Sequence, residues 1–436
     1  MFAHYLQLGL RSLRRNPVLT ILMVIVMGFG VSASMASYAV FRAVSNDPIP
    51  DKSTQLYAVQ IDSFGPKNNN GGEPSGELDY LDAMALQRDH KGLRQTPLYP
   101  VGLSLLPTEA SQMPLRPKTY AVNAEAFPMF EIPFAFGGGW SKDDDRSSAY
   151  VAVIGRRLND RLFRGANSIG KSINLSGHDY RIVGVMDDWD PKPLYMDVLS
   201  SNSFGTPIQV FIPLQRALDS HMQTVGSTGC VGSDEGAGWE AFTHSTCTWL
   251  LYWVELPTPA QAQAYGHYLY DYASLQQHAG RYPWAPNVRL HDVRQWLKYM
   301  HVVSPASEMS LYISCGVLLI CLVNTSGLLL AKFMRRSAEI GVRRALGAPR
   351  RAIYAQFLME GVTVGLAGGV LGLLLTVFNL HGIGSVVDKE TAALLRLDAS
   401  LVAWTFTVSV ISTLLASFYP TWRAANVQPA WQLKTN

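Results

Sequence analysis

The amino-acid sequence predicts a membrane protein with four transmembrane α-helices and a large α+β extracytoplasmic domain between helices 1 and 2. Long uncharged apolar runs lie near the beginning of the chain and recur after residue 307. Residues 42–307 instead combine many Pro, Gly, Asp and Tyr with short alternating segments, and no run there could span a bilayer. Residues 332–352, between the second and third apolar runs, carry seven Lys or Arg and one acid. Such an excess keeps short loops in the cytoplasm, which places residues 42–307 outside.

Composition indicates a membrane partner and argues against nucleic acid. Of the 436 residues, 48% are hydrophobic, and these are concentrated towards the two ends of the chain. The formal net charge of +3 is small, and Lys and Arg cluster at the edges of the apolar runs. The expected non-protein partners are therefore membrane lipids.

The first transmembrane helix is expected over residues 18–41, after a cytoplasmic amphipathic lead-in at residues 1–17. At about 1.5 Å per residue, this uncharged run exceeds the roughly 30 Å hydrocarbon core. A cleavable signal peptide is the alternative, because small residues such as Ser32 and Ala36 follow the apolar part. Apolar cores of signal peptides have only about 7–15 residues, so a retained anchor is favoured.

The extracytoplasmic domain, residues 42–307, shows both helical and strand patterns. A strand at residues 150–154 is followed by an amphipathic helix at 156–163 and by two strands at 171–175 and 180–186. A second helix is predicted over residues 259–278. Its apolar face is expected to hold Tyr265, Tyr268, Leu269, Tyr272 and Leu275. The mixture predicts an α+β domain.

Residues 165–172 match the phosphate-binding loop motif G-x-x-x-x-G-K-[ST], and Asp187 and Asp188 follow a strand as a metal-binding acid would. That mechanism needs a strand before the loop and a helix after it, so that backbone N–H groups face the phosphates. Here a helix precedes the motif and a β-hairpin follows it. We therefore interpret the motif as a turn.

Cys230 and Cys247 lie in the part of the chain expected outside the cytoplasm, where a disulfide between them is possible. With His221 and His244 they form an alternative zinc set. The spacings match no usual structural zinc site, so we predict no metal, and the disulfide remains the favoured reading.

Three further transmembrane helices are predicted, over residues 308–331, 353–380 and 401–419. Asn324, Thr325 and Ser326 in the second helix are typical of helix–helix contacts. The third helix has glycines that predict close-approach faces: Gly361, Gly365, Gly368, Gly369 and Gly372. A short periplasmic loop at residues 381–400 follows, and Pro420 is expected to break the fourth helix before a cytoplasmic tail at residues 420–436.

The basic loop at residues 332–352 has two interpretations. Val342 and Leu346 alternate with Arg343 and Arg344 at helical spacing, and Gly347 stops the turn. The segment is either a positive-inside loop or a short helix that docks to a cytoplasmic partner. Glu360, near the start of the third helix, is expected either to be exposed at the interface or to contact Arg343 or Arg344.

Particular strings in the chain resemble a known family. They are residues 13–17 (LRRNP), 339–348 (EIGVRRALGA), 356–358 (QFL), 368–369 (GG) and 419–420 (YP), with residues 151–154, 161–163, 169–171 and 183–185 in the external domain. This pattern resembles the MacB/FtsX-type permease subunits of ABC transporters, the mechanotransmission or type VII class. The external strings resemble the periplasmic core domain of that family.

The resemblance implies that residues 332–352 form a coupling helix loop resting on an ABC ATPase. The residues implied in coupling are Glu339, Ile340, Gly341, Arg343, Arg344, Leu346, Gly347 and Ala348. The ATPase is expected as a dimer of separate subunits that bind ATP and Mg, so this chain is expected to be no enzyme and to carry no cofactor. A second permease, either a copy or a paralogue, is a further implied partner, and a periplasmic adaptor and an outer-membrane protein would fit the class.

The resemblance places the chain in the bacterial inner membrane with both termini cytoplasmic, and it leaves two functions open. One is efflux or export of a peptide, antibiotic or lipid-linked substrate, which the large external domain favours. The other is a signal transmitter that regulates a periplasmic cell-wall hydrolase or acts as a sensor. An extracytoplasmic enzyme using His178, Asp187, Asp188 or Asp190 has little support, because no nucleophile–base pairing is readable.

Overall fold

The computed structural model describes the chain except residues 1–16, 70, 107–113, 201, 232–237, 337–338, 340–341, 343–345, 348, 385–391, 393–397 and 426–436. The predicted lead-in at residues 1–17 therefore falls almost wholly outside the described residues. The chain divides into two compact units. The helical unit comprises Met1–Ser45 and Val303–Asn436, and the sheet unit comprises Asn46–Val302.

The described helices are α1 (Pro17–Val44), α2 (Tyr80–Asp89), α3 (Ala126–Met129), α4 (Lys142–Arg146), α5 (Arg156–Phe163), α6 (Leu214–Asp219), α7 (Trp239–His244), α8 (Pro259–His278), α9 (Val293–Tyr299), α10 (Pro305–Met334), α11 (Arg350–Gly384) and α12 (Ala399–Ala425). The strands are β1 (Leu56–Ile61), β2 (Leu78–Asp79), β3 (Arg94–Val101), β4 (Leu105–Leu106), β5 (Thr119–Val122), β6 (Phe134–Gly137), β7 (Val151–Gly155), β8 (Ser172–Leu175), β9 (His178–Met186), β10 (Val210–Pro213), β11 (Thr248–Glu255) and β12 (Val288–Asp292).

Within the described residues, four helices are long and apolar enough to cross a membrane, namely α1, α10, α11 and α12. Helix α11 packs against α12 and α1 through the glycines that the sequence singled out. Gly365 lies against Thr413 and Ser409 of α12, and Gly372 lies against Val31 of α1. A side chain at either glycine would separate the helices, so the prediction of close-approach faces is confirmed.

The prediction that Pro420 breaks the last helix is wrong, because α12 continues through Pro420 to Ala425. Proline removes one backbone donor from a helix, but membrane helices tolerate this where neighbouring groups satisfy the freed carbonyl.

The described strands of the sheet unit form one sheet, in the order β12-β1-β11-β3-β5-β10-β7-β9-β8-β4, with β2 on β11 and β6 on β9. Neighbours are mostly antiparallel, but β5 with β10 and β7 with β9 are parallel. Both faces are covered. On β11, Trp249 belongs to the hydrophobic core of one face and Trp253 to that of the other, and every residue of the strand is buried. This accounts for the continuous apolar run.

The predicted helix at residues 259–278 is α8, and its start is fixed by a capping box between Thr258 and Gln261. Tyr265, Leu269 and Tyr272 are buried against the sheet core, as predicted. Leu275, however, is 63% exposed. At 100° per residue it lies about 80° around the helix from Tyr265, at the rim of the buried stripe.

Candidate coupling site

The basic segment at residues 332–352 begins in α10 and ends in α11. Of the residues that the family resemblance implies in coupling, Glu339, Leu346 and Gly347 are described. The others lie outside the described residues: Ile340, Gly341, Arg343, Arg344 and Ala348. The contact of Glu360 with Arg343 or Arg344 therefore also falls outside the described part of the chain.

Two apolar side chains of this segment lie exposed one helical turn apart. The backbone N–H of Leu346 donates to the carbonyl of Val342 at 3.0 Å, an i to i−4 bond. Val342 is 56% and Leu346 83% exposed. Gly347 follows in the left-handed region at φ 93°, the conformation that ends helical turns and favours glycine. An exposed pair at i and i+4 is the pattern by which a helix inserts into a groove of a partner.

Beside this segment, α1, α10 and α11 bury a group of charges. Lys332 Nζ is paired with Glu360 Oε1, and Arg336 Nη1 lies 3.7 Å from Glu360 Oε2. The side chains of Lys332 and Glu360 are 0% and 1% exposed. Lys332 Nζ also donates to Thr20 Oγ1 of α1 at 3.3 Å. We call Lys332, Arg336 and Glu360 the ion cluster. Buried charges persist in an apolar unit only when they are paired in this way.

Apolar packing holds the ion cluster in place. The rings of Phe333 and Phe357 lie 4.1 Å apart between centroids, and both belong to a core with Met23, Leu329 and Ile353. Phe333 follows Lys332 directly, and Phe357 lies one turn before Glu360. The same two helix faces therefore bring the rings and the charges together, and they link the two ends of the basic segment at residues 332–352.

The sequence did not reveal the ion cluster. Of the two alternatives predicted for Glu360, exposure at the interface is wrong because its side chain is buried. Its partner Lys332 belongs to the segment predicted as a basic loop or a docking helix. The available signal was the position of Glu360 itself, since an acid at the beginning of an apolar helix usually has a cationic partner. Lys332 ends the preceding apolar run and was the nearest candidate.

The phosphate-loop motif is a turn, as predicted. Helix α5 precedes it, and the hairpin of β8 and β9 follows it. The motif lysine, Lys171, lies over the ring of Phe163, with Nζ 5.0 Å from its centroid, and Ser168 Oγ donates to Asn159 at 2.6 Å. These contacts are structural: Lys171 packs on an aromatic ring, and Ser168, at a variable position of the motif, supports the turn.

Cys230 and Cys247 form a disulfide in the structure, with their Cα atoms 4.3 Å apart. The residues of the zinc alternative have other contacts, because His221 stacks on Trp239 and His244 Nδ1 bonds the carbonyl of Glu240. Among the described residues, no group of three His, Cys, Asp or Glu could hold a metal ion. The candidate catalytic acids Asp187, Asp188 and Asp190 line one pocket, without His178. Asp187 pairs with Arg156, Asp190 pairs with Lys192, and His178 stacks on Tyr150.

Replacing Cys247 with serine is expected to destabilise the sheet unit by about 3 kcal/mol, because the bridge joins residues 17 apart in sequence and so restricts the unfolded chain. Thermal unfolding of the purified full chain checks this, with Cys315→Ser as the control, since Cys315 is free and exposed. Intact protein from cells should also show the Cys230–Cys247 linkage by mass spectrometry without reductant. Two free thiols at these positions would contradict the bridge.

Together, the four apolar helices of the described chain and the mixed α/β domain after the first define a multi-pass membrane protein of the permease class. A model of the MacB-like periplasmic core domain matches residues 20–264, and a model of the FtsX-like permease C-terminal region matches residues 311–429. The chain therefore belongs to the MacB/FtsX-type family of ABC transporter permeases.

Curated relatives agree with this assignment. The macrolide export ATP-binding/permease protein MacB of Syntrophobacter fumaroxidans is 24% identical over 70% of this chain and 45% of its own length. The pyoverdine export ATP-binding/permease protein PvdT of Pseudomonas entomophila is 24% identical over 92% of this chain and 55% of its own length. The chain thus spans about half the length of these two relatives. The ABC transporter permease YvrN of Bacillus subtilis is 22% identical, with 85% of each chain covered.

Proposed function

We propose that this chain is the membrane subunit that couples ATP hydrolysis by a separate cytoplasmic ABC ATPase to movement of its extracytoplasmic domain, and so drives export. The observation that carries the proposal is the exposure of the apolar side chains of Val342 and Leu346, in the segment whose flanking helices are joined by the buried ion cluster. Exposed apolar side chains offer a contact to an ATPase, and the ion cluster lets a displacement of this segment act on both helices.

The ion cluster makes α10 and α11 move together. Glu360 of α11 is paired with Lys332 of α10, and Lys332 in turn bonds Thr20 of α1. Separating these helices would leave charges unpaired in an apolar setting, which is costly. A displacement of the coupling segment is therefore passed to three helices at once. The chain connects α1 and α10 directly to the start and the end of the sheet unit, so their movement reaches that unit.

Sidedness follows from the charge pattern. The segment between α10 and α11 is strongly basic, and short basic loops stay in the cytoplasm. In the proposed orientation both termini are cytoplasmic, and the sheet unit lies on the periplasmic side of a bacterial inner membrane. A disulfide in the sheet unit fits an oxidising compartment.

The proposed cargo is a peptide, an antibiotic or a lipid-linked molecule that is already outside the cytoplasm. Two relatives are named for export of macrolides and of pyoverdine, which supports export over signalling without cargo. The proposed assembly has two permeases, as a homodimer or with a paralogue, on two ATPase subunits. A periplasmic adaptor and an outer-membrane protein would extend it.

Glu339→Lys and Leu346→Asp are each expected to uncouple ATP hydrolysis from export while membrane insertion stays intact. Anchor residues at the centre of an interface are worth about 2 kcal/mol, so Leu346→Asp should weaken ATPase binding by roughly 30-fold. The ATPase is first identified by copurification from native membranes, and hydrolysis and export are then measured in proteoliposomes. Glu308→Lys in the first turn of α10 is the matched charge reversal and should leave coupling unchanged.

Unchanged coupling in both variants would contradict the proposed site. Normal coupling of hydrolysis to domain movement with no cargo exported would instead favour the signal-transmitting function. External labelling of intact cells that reaches a cysteine introduced at Gly347 would contradict the proposed sidedness.

A further inference from the structure

Helix α10 leaves more of its surface uncovered than the other spanning helices of the described chain. Only 17% of its most apolar 18 residues are buried, against 50%, 44% and 39% in α1, α11 and α12. Its inner face is covered, because Thr325 and Leu329 are fully buried within the helical unit. Between Leu311 and Ala331, the exposed side chains are apolar, aromatic or small, as a lipid-facing surface requires, except for Asn324.

Asn324 is exposed on α10 inside the apolar run. The nearest charged residue along the chain is Lys332, which lies about 12 Å further along the helix axis. Among the described residues, none forms a hydrogen bond with the side chain of Asn324. The other asparagine of the spanning helices, Asn379, instead donates through Nδ2 to Ser32 Oγ at 3.1 Å. Lipid offers an amide no partner, so the side chain of Asn324 calls for one from protein.

Asn324 belongs to a heptad pattern on the exposed side of α10. Six positions follow one another at alternating spacings of four and three residues, which keeps them on one stripe of the helix. All six are exposed in the single chain, and we call them the seam: Ile313, Val317, Ile320, Asn324, Gly327 and Ala331. Two helices pair through such a seam, and Asn324 occupies an a position in it. A single Asn at an a position fixes the register of paired helices and their number.

The geometry of α10 leaves room for a second helix at the seam. Adjacent residues of a helix point about 100° apart, so Asn324 and the buried Thr325 lie on different faces. A methyl group built on Gly327 would meet no atom within 4 Å, and the next member of the seam, Ala331, is also small. Small side chains let the backbones of two membrane helices approach closely. A helix packed on the seam would therefore use a face of α10 that the chain itself leaves open.

We propose that α10 pairs through the seam with α10 of a second copy of this chain, and that the two Asn324 side chains bond each other. An amide carries both donors and an acceptor, so two identical side chains complement each other. Copies that insert with the same orientation bring Asn324 to the same depth, as a two-fold axis along the membrane normal requires. This pairing rests on the two permeases of the proposed function, and it selects a second copy over a paralogue.

Oxidative crosslinking of the full chain in native membranes tests the contact. Cys315 and Cys321 are first replaced by serine, because they are the two cysteines outside the disulfide. Ile320→Cys, at the seam, should then give a disulfide-linked dimer of this chain. Leu319→Cys is the matched control and should stay monomeric. Leu319 is exposed to the same degree, at 60% against 62% for Ile320, but its side chain points about 100° away from that of Ile320.

Energy transfer between labelled chains in liposomes measures the strength of pairing. Dilution with lipid gives the dissociation constant of the pair. Asn324→Leu should raise this constant about tenfold, because it removes the hydrogen bonding between the two helices. Asn324→Gln keeps an amide and should recover much of the loss. Asn379→Leu is the matched control and should pair like the wild type, since the amide of Asn379 bonds within its own chain.

Equal crosslinking of Ile320→Cys and Leu319→Cys would overturn the seam, and so would an Asn324→Leu variant that pairs as tightly as the wild type. Crosslinking of Ile320→Cys to a different protein, or no crosslinking at all, as when lipid alone covers α10, would overturn the second copy. Neither measurement needs an ATPase or cargo. A failure of pairing is therefore distinguishable from a failure of coupling, because the Leu346→Asp variant should pair like the wild type even though it uncouples ATP hydrolysis.

Discussion

A Glu360→Gln variant is expected to lose about 3–5 kcal/mol of folding stability, because it leaves a buried cation without its counter-charge. Lys332 and Glu360 are 0% and 1% exposed, so water cannot replace the lost partner. Lys332→Met should cost less, since Arg336 stays 3.7 Å from Glu360 and can neutralise it. Thermal unfolding of the purified full chain in detergent measures both losses.

Replacing both Lys332 and Glu360 distinguishes the effect of their charges on stability from the effect of their packing. Lys332→Met combined with Glu360→Met should recover most of the stability lost in Glu360→Gln, because apolar side chains of similar volume replace a buried ion pair at little cost. Arg42→Met is the control within the same unit. Its pair with Asp398 is 45% and 42% exposed, so the expected loss is below about 1 kcal/mol. A double variant as unstable as Glu360→Gln would contradict the role assigned to the charge pair.

The double variant also tests coupling. If the ion cluster only stabilises the fold, Lys332→Met with Glu360→Met should export normally once it is folded. If it makes α10 and α11 move as one body, the ATPase bound to the folded double variant should still hydrolyse ATP while export falls, because apolar contacts slide more easily than a charge pair. A change in stability alone would leave the ratio of export to ATP hydrolysis in proteoliposomes unchanged, so this ratio tests coupling.

Features encoded in a short stretch of sequence could be predicted, because periodicity and capping act locally. The apolar runs indicated all four spanning helices, and α5 and α8 begin and end where the pattern placed them. The order helix, turn and hairpin around Gly165 was sufficient to reject a nucleotide site. The excess of Lys and Arg at residues 332–352 is likewise local, and the proposed sidedness rests on it.

Features that depend on distant pairing could not be predicted. Lys332 and Glu360 meet only because two helices return across the unit and pack their Phe333 and Phe357 faces together. Strand β11 lies between β1 and β3 although it follows both by more than a hundred residues. No local pattern in the sequence indicates that strand order.

In the sheet unit, Arg281 neutralises two acids at the start of α2. Its Nη2 lies 2.6 Å from Asp79 Oδ2, and its Nη1 lies 2.5 Å from Asp82 Oδ1. The two carboxylates are 0% and 1% exposed. The hydroxyl oxygen of Tyr282 lies 2.7 Å from an oxygen of each carboxylate, within hydrogen-bond distance of both. Burial raises the pKa of Asp82 to about 6, with repulsion from Asp79 adding to it, while Arg281 opposes the rise.

An Arg281→Met variant is expected to lose about 3–5 kcal/mol at pH 8, because two buried carboxylates are left without a cation. The loss should be smaller near pH 5. The pKa of Asp82 in the folded chain is about 6, above its ordinary value of 3.8, so the folded state binds the proton more tightly and this group favours folding at low pH. That contribution declines as pH rises through 6. Removing Arg281 raises the pKa of Asp82 further, so the contribution of Asp82 to stability continues to decline at higher pH.

Thermal unfolding and hydrogen exchange of peptides around α2, in the full chain at pH 5 and pH 8, measure this difference. Arg289→Met is the matched control, because Arg289 also pairs with an acid, Glu73, but the two side chains are 37% and 38% exposed. Its loss should stay below about 1 kcal/mol at both pH values, since solvent screens the pair. Equal losses in the two arginine variants would show that the buried acids do not need the guanidinium. A loss in Arg281→Met that does not change with pH would contradict the electrostatic explanation of that loss.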